Sequence, residues 1–180
     1  MPGPDKIMLI RHAEKPSFDP PGGVREDGSS DKHSLIVRGW QRAGALVTFF
    51  AKPTRPGIGV PATIFAVATS RDPSVSSEEA KSLRAQETVA ALGRKLGVAL
   101  NTTVAVGNDS ALIAELRRAA GVVLVASEHK HIPVIAGGFI ENPPAWGDRF
   151  DAVWVLDRQA DDHYLLTVVN QELLDGDLPA

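Results

Sequence analysis

The sequence predicts an α/β fold: a three-layer sandwich with a mainly parallel central sheet and an antiparallel hairpin arm near the C-terminus. Short apolar runs at 7–10, 63–70 and 121–127 are typical of strands that are buried on both faces. Amphipathic segments of helical length lie between these runs. The 180 residues fit one domain with a sizeable core, which we expect to span 1–180.

Composition excludes several classes of function. The chain has 19 Lys and Arg against 22 Asp and Glu, a net charge of −3, and no basic run that would follow a nucleic-acid backbone. It has no cysteine, which excludes disulfides, thiolate metal sites and a cysteine nucleophile. No segment approaches about 18 consecutive apolar residues, and the start MPGPDK lacks a signal-peptide pattern. We therefore expect a cytoplasmic protein with no nucleic-acid or membrane partner.

The first predicted strand ends in two residues that suit an anion site. In KIMLIRHAEK the apolar run is followed at once by Arg11 and His12. Ligands of open α/β sheets bind at the carboxyl ends of the strands, where a fixed cation beside an imidazole can hold an anion. The alternative is a strand end that simply turns polar as it reaches water. The next segment, Pro16 to Asp31, is rich in Pro, Gly, Ser and Asp, and predicts either a plain connector or a substrate lid.

Two amphipathic helices flank the second strand. Apolar residues at helical spacing predict the first helix from about Val37 to Ala51. The second is predicted from about Ser82 to Leu96, with Gly97 as its C-terminal stop. Arg84 lies near the start of this helix, where free amides and the helix dipole favour an anion. Arg71 is a competing candidate because it is closer to the strand end.

The third buried strand is preceded by a helix that Asp109 or Ser110 caps, and it is followed by EHKHIPVIAGGF. A further helix is predicted to begin near Pro133. His129 and His131 are two residues apart, so a metal site is an alternative, although two histidines without a third ligand make a weak case.

The chain then reads as a hairpin with arms Ala152 to Leu156 and Tyr164 to Asn170. His163, at the start of the second arm, is interpreted as structural.

These segments resemble the histidine phosphatase superfamily, the phosphoglycerate-mutase-like enzymes, over nearly the whole chain. LIRHAEKP is similar to the RHG signature of that superfamily, with Ala13 in place of glycine. The segment RAQET is similar to its RAxxT segment, and matches Arg84 and Thr88. SEHKHIP is similar to the branch that reads WEHxxIP, which matches His129 and leaves His131 a bystander.

The resemblance implies a phosphoric monoester hydrolase that forms a phosphohistidine on His12, with a phosphorylated substrate as partner and inorganic phosphate as product. It implies that Arg11, Arg84 and His129 bind the phosphoryl oxygens. No metal or other cofactor is needed in this scheme, because the arginines supply the positive charge. The glutamate-bearing insertion of the mutase branch is not found in the chain, which favours a short-form phosphatase over a mutase.

Two questions stay open at this point. The proton donor for the leaving oxygen is Glu14, Asp109 or Glu128. The alternative function is a catalytically weak or inactive module of the same fold that binds phosphorylated ligands, and it is favoured by Ala13 and by the unassigned acid. The substrate and the oligomeric state do not follow from the sequence.

Overall fold

The structure is a computed structural model that describes residues 3–17 and 22–179. Within these residues, six strands form one sheet and five helices accompany it. The strands are β1 (Lys6–Arg11), β2 (Thr63–Ala66), β3 (Leu100–Asn101), β4 (Val122–Ser127), β5 (Ala152–Arg158) and β6 (Tyr164–Asn170). The helices are α1 (Val37–Ala51), α2 (Ser77–Ala80), α3 (Arg84–Leu96), α4 (Asp109–Arg118) and α5 (Ile132–Ala136).

The strand order is β3-β2-β4-β1-β5-β6. The first three pairings along this order are parallel, and the pairings of β1 with β5 and of β5 with β6 are antiparallel. Ile7 lies opposite Val123, and Arg11 lies opposite Ser127, so the carboxyl ends of β1 and β4 are adjacent. The predicted fold, with its mainly parallel sheet and its antiparallel C-terminal arm, is confirmed.

The apolar runs form strands because helices cover both faces of the sheet. Residues 7–10 of β1 and 123–126 of β4 are fully buried, without the alternation of a strand that has one wet face. Helices α1 and α3 pack against each other, and so do α4 and α5. Gly97 ends α3 in the left-handed conformation with φ of +68°, as predicted for a C-terminal stop.

Three boundaries differ from the sequence-based predictions. The first hairpin arm, predicted over Ala152 to Leu156, continues to Arg158. The strand predicted over 63–70 ends at Ala66, because the backbone beyond it leaves β4 and makes only an isolated bridge between Ala68 and Ala105. The helix predicted from Ser82 begins at Arg84. Neither α2 nor β3 was predicted, because four and two residues are too few to show a period.

The predicted loop from Pro16 to Asp31 is only partly accounted for. Residues 18–21 lie outside the described residues, so the choice between connector and lid stays a prediction. Beyond them the segment makes a bridge between Val24 and Ser30. In the described parts of the chain, no helix is both long enough and apolar enough to span a membrane.

Candidate active site

The backbone around His12 fixes its imidazole ring. The His12 amide donates to the Ser127 carbonyl at 3.0 Å, which ties the residue to the end of β4. In the fully buried side chain, Nδ1 lies 2.7 Å from the carbonyl oxygen of Ala13. Because a carbonyl only accepts hydrogen bonds, Nδ1 carries a proton, and Nε2 is the nitrogen that is left for chemistry.

Arg11 is buried beside His12 on the same strand end. Its Nη1 donates to the Asp148 carbonyl at 2.6 Å, and its guanidinium lies 3.9 Å from the centre of the Phe150 ring. The same phenyl ring lies 6.0 Å from the His12 ring, between centroids. Burial lowers the pKa of Arg11, and Glu128 opposes that shift. An arginine nonetheless stays charged in proteins, so a fixed cation lies next to the imidazole.

Arg84 is the first residue of α3 and is also buried. Its Nε and Nη2 donate to the carbonyls of Ser34 at 3.3 Å and Lys32 at 2.8 Å, in the segment that leads into α1. Burial lowers its pKa, and Glu128 is the strongest opposing charge, as it is for Arg11. Glu128 is thus the carboxylate whose charge acts most strongly on both arginines.

Thr88 connects this arginine to the nucleophile segment. Its buried hydroxyl accepts from the Ala13 amide at 2.8 Å and donates to the Arg84 carbonyl at 2.7 Å. The Ala13 carbonyl in turn accepts from His12. A continuous chain of hydrogen bonds thus runs from α3 to the imidazole ring. The methyl group of Ala13 belongs to a small apolar cluster with Leu35 and Ala43 beneath α1.

Glu128 and His129 extend from the end of β4 to the same place. An Oε2 of Glu128, a residue that is only 3% exposed, lies 3.2 Å from His12 Nε2 and 3.9 Å from His129 Nδ1. Burial first, and then Arg11, lower the pKa of His129 below its usual range. At neutral pH its ring is therefore neutral and can donate from one nitrogen.

Several buried polar atoms of these residues have no hydrogen-bond partner among the described residues. They are Nε of Arg11, Nε2 of His12, Oε1 of Glu128 and Nδ1 of His129. Buried polar groups are normally paired, and leaving one unpaired costs roughly 1–3 kcal/mol. Four such atoms in one place, at the carboxyl edge of parallel strands, indicate a site that a polar ligand completes.

The structure does not bring all the predicted residues into this cluster. Glu14 turns away from His12, and its carboxylate accepts three hydrogen bonds of 2.8–3.1 Å from Arg42. Asp109 lies 2.7 Å from Nδ1 of His131. Arg71 is exposed in the segment after β2.

The two histidines of the metal alternative contact different carboxylates, since His129 is near Glu128 and His131 pairs with Asp109. Among residues 3–17 and 22–179, no three His, Cys, Asp or Glu side chains converge as metal ligands.

Three contributors were not assigned a role from the sequence. Phe150 lies in a loop without periodicity, so no pattern points to it. Lys15 contributes positive charge that lowers the pKa of Glu128, and its position three residues after His12 was the available signal. Thr88 was matched by resemblance only, and its hydrogen bonds require the tertiary structure.

Two cavities help to locate the cluster. One of about 420 Å³ is lined by Phe150, which contacts Arg11 and His12, and by Glu14 and the C-terminal residues 176–178. Another of about 820 Å³ is lined by 137–144 and 163–166. The second lies at the amino end of β1, because Lys6 pairs with Asp157 near the start of β6. Of these two cavities, the first shares a neighbour with the cluster, because Phe150 lines it and also contacts Arg11 and His12.

Comparison with solved structures identifies the fold. A protein histidine phosphatase SixA complexed with tungstate has a TM-score of 0.53 at 10% identity, covering 92% of this chain and 97% of that one. A protein from Escherichia coli str. K-12 substr. MG1655, assigned as an alpha-ribazole-5'-P phosphatase, has a TM-score of 0.54 at 15% identity, covering 93% and 97%. No family model and no curated protein matches the sequence. The resemblance seen in the sequence is confirmed at the level of the fold, which this chain shares with solved phosphatases of the histidine phosphatase superfamily.

Proposed function

We propose that this chain is a phosphoric monoester hydrolase of the histidine phosphatase superfamily, and that it acts through a phosphohistidine on His12. The observation that carries the proposal is the set of unpaired buried polar atoms around His12 Nε2. The shared fold supports the proposal, because the two similar proteins are a protein histidine phosphatase complexed with tungstate and a protein assigned as an alpha-ribazole-5'-P phosphatase. Tungstate is a tetrahedral oxyanion with the shape of phosphate.

The proposed chemistry divides one displacement into two. Nε2 of His12 attacks phosphorus, the ester oxygen leaves, and water then hydrolyses the phosphorus–nitrogen bond. Arg11 and Arg84 supply fixed positive charge to the equatorial oxygens, and neutral His129 donates one hydrogen bond. In this proposal the positive charge comes from side chains, so no metal is required.

The alternative is a module that binds phosphorylated ligands without turnover. Its sequence support was Ala13, which replaces a glycine. The Ala13 methyl group packs with Leu35 and Ala43, and the Ala13 carbonyl accepts from Nδ1 of His12, so the alanine is compatible with the observed orientation of the ring. The hydrolase is therefore the better-supported reading.

The test is hydrolysis of an aryl phosphate by wild type and by His12→Ala. We expect turnover by wild type, competitive inhibition by orthophosphate, and a background rate for His12→Ala. The fold should survive the substitution, because the ring contributes little to the apolar core. A phosphoryl label trapped on wild type should be stable in base, labile in acid, and absent from His12→Ala.

Two results would contradict the proposal. Turnover by His12→Ala at the wild-type rate would refute the nucleophile assignment. Tight orthophosphate binding by wild type, together with no turnover of any ester, would support the binding module instead. A panel of phosphometabolites and phosphohistidine proteins would then define the substrate class.

A further inference from the structure

The proposed reaction needs a group that moves protons, and three buried or half-buried carboxylates are candidates. Arg42 donates to both carboxylate oxygens of Glu14, and it also donates to Asp177. Asp109 is paired with His131. Only Glu128, among the three, lies within 4 Å of the imidazole to which the mechanism assigns attack.

The contact between Glu128 and His12 has an unusual geometry. The oxygen is 3.2 Å from Nε2, which is a hydrogen-bonding distance, yet Nε2 has no aligned partner in the described chain. The carboxylate therefore lies beside the line of the ring nitrogen and not along it. A displacement at phosphorus proceeds along that line, with the leaving oxygen on the far side. In this proposal the incoming phosphoryl group meets Nε2 along a line that the carboxylate does not occupy.

We propose that Glu128 is the proton carrier of this site: it takes the proton of His12 Nε2, delivers it to the leaving oxygen, and then takes a proton from the attacking water. This inference rests on the proposed function, and it adds one catalytic residue to the proposed reaction. The basis is that one buried carboxylate contacts the nucleophilic nitrogen and has its second oxygen, Oε1, unpaired. In this proposal Oε2 exchanges the proton with Nε2, and Oε1, which has no partner among the described residues, faces the leaving oxygen.

Each proton has a defined origin and destination. In this proposal the mobile proton starts on Nε2, since Nδ1 is committed to the Ala13 carbonyl and Glu128 is the carboxylate next to Nε2. When the phosphate ester binds, this proton moves to Glu128, the Nε2 lone pair forms the bond to phosphorus, and the ester bond breaks. The leaving oxygen takes the proton from Glu128, which yields the alcohol and the phosphohistidine.

The second half returns the site to its starting state. Water gives a proton to Glu128 as its oxygen bonds to phosphorus, the phosphorus–nitrogen bond breaks, and Nε2 recovers the proton from Glu128. The net change is ester plus water to alcohol plus hydrogen phosphate, so no external acid, base or oxidant is consumed.

The surrounding charges allow the carboxylate to change its proton affinity during this cycle. Burial alone raises the pKa of Glu128, but the effects of His12, and then of Lys15 and Arg84, are together larger than that of burial and lower the pKa to about 2. A phosphate dianion bound among the same cations reverses the local balance of charge. Like charge in a buried site disfavours a second anion, so the carboxylate is driven to accept the proton when the substrate enters.

The test compares Glu128→Gln with wild type on phosphate monoesters whose leaving groups range from nitrophenols to alkyl alcohols. The amide keeps the size of the side chain but cannot carry the proton. Because nitrophenolate needs little protonation, we expect kcat/KM to fall less than about tenfold for nitrophenyl phosphate and at least about a hundredfold for alkyl phosphates. Since the second half also needs a base, one equivalent of nitrophenol should be released in a burst, and label should accumulate on His12.

Two further variants separate proton transfer from a structural role. Glu128→Asp retains an acid and should restore the wild-type dependence on leaving group in part. Asp109→Asn is the matched control, because it converts another half-buried carboxylate that also pairs with a histidine. We expect it to leave the dependence on leaving group unchanged.

The possible outcomes are distinct. An equal loss across all esters in Glu128→Gln would mean that the carboxylate only supports the site, and equal or faster turnover of all esters would mean that it only fills it. Either result refutes the proton carrier while the hydrolase proposal stands. A wild type that cleaves no ester and takes no label on His12 refutes both.

Discussion

Thr88→Val tests whether the hydrogen bonds behind His12 are needed for catalysis. Valine has nearly the shape of threonine but no hydroxyl, so it removes the acceptor of the Ala13 amide and the additional donor to the Arg84 carbonyl. Thr88 is fully buried, and water cannot replace either bond. The Arg84 carbonyl keeps its place in the helix, whereas the Ala13 amide is left without a partner.

The expected loss of stability follows from that amide. Leaving a buried donor unpaired costs roughly 1–3 kcal/mol in the free energy of unfolding. For a chain of 180 residues this lowers the melting temperature by roughly 2–4 °C per kcal/mol. The Ala13 peptide also positions the carbonyl that orients His12, and a misplacement of about 1 Å at a reacting group can cost about a hundredfold in rate. We therefore expect kcat to fall by between ten- and a hundredfold.

Thr88→Ser is the matched control. It keeps the hydroxyl and removes one buried methyl group, which costs about 1 kcal/mol of stability and does not free the Ala13 amide. Thermal unfolding and aryl phosphate kinetics, measured well below both melting temperatures, separate the two effects. If Thr88→Val retains kcat within twofold of wild type, or if Thr88→Ser loses as much as Thr88→Val, the hydrogen-bond chain does not position the nucleophile.

Two other predictions concern charge. Arg11→Ala and Arg84→Ala should each lower kcat/KM by about a hundredfold, or about 3 kcal/mol, and the lysine variants should recover little of that activity. Arg71 is exposed, so Arg71→Ala should have the activity of wild type. If instead Arg71→Ala loses activity and Arg84→Ala does not, the assignment of the second arginine is wrong. Burial raises the pKa of Asp177, but its hydrogen bonds and the charge of Arg42 together have the larger effect and lower that pKa from 3.8 to about 2. Asp177→Asn should therefore destabilise the protein by about 2 kcal/mol at neutral pH. The depressed pKa gives its full stabilisation above the unfolded value of 3.8 and loses it as the pH falls to about 2, so the urea unfolding curves of the two proteins should converge over that range. A constant difference between them would contradict this linkage.

The fold followed from the sequence because its strongest signals are local. The apolar runs of β1 and β4 are long enough to identify a buried strand, and α1 has a clear helical period. The elements that escaped prediction carry no period. Helix α2 forms because Ser76 caps a single turn, with its hydroxyl 3.4 Å from the Glu79 amide. The two residues of β3 form a strand only because β2 is beside them.

The site was predictable where residues follow strand ends and unpredictable where loops cross over it. Arg11 and His12 meet the end of β4 because parallel neighbours share a carboxyl edge. Phe150 reaches the same place from a loop, and nothing in its neighbourhood predicts that. The choice among three carboxylates also needed coordinates, since sequence distance from His12 favours Glu14, which the structure turns toward Arg42.

The segment after β1 is fixed on every side except one. Gly39 of α1 lies so close to this segment that an added β-carbon would be 2.5 Å from the Glu14 carbonyl oxygen, so the helix packs directly against the backbone of Glu14. Thr88 holds the Ala13 amide, and the His12 amide is held by β4. In the described structure, Nε2 of His12 is left without an aligned partner although its backbone and its other nitrogen are both bonded. An unpaired buried nitrogen lowers the stability of the folded protein. Here that cost falls on Nε2 of His12, which is the atom that the proposed mechanism requires to be reactive.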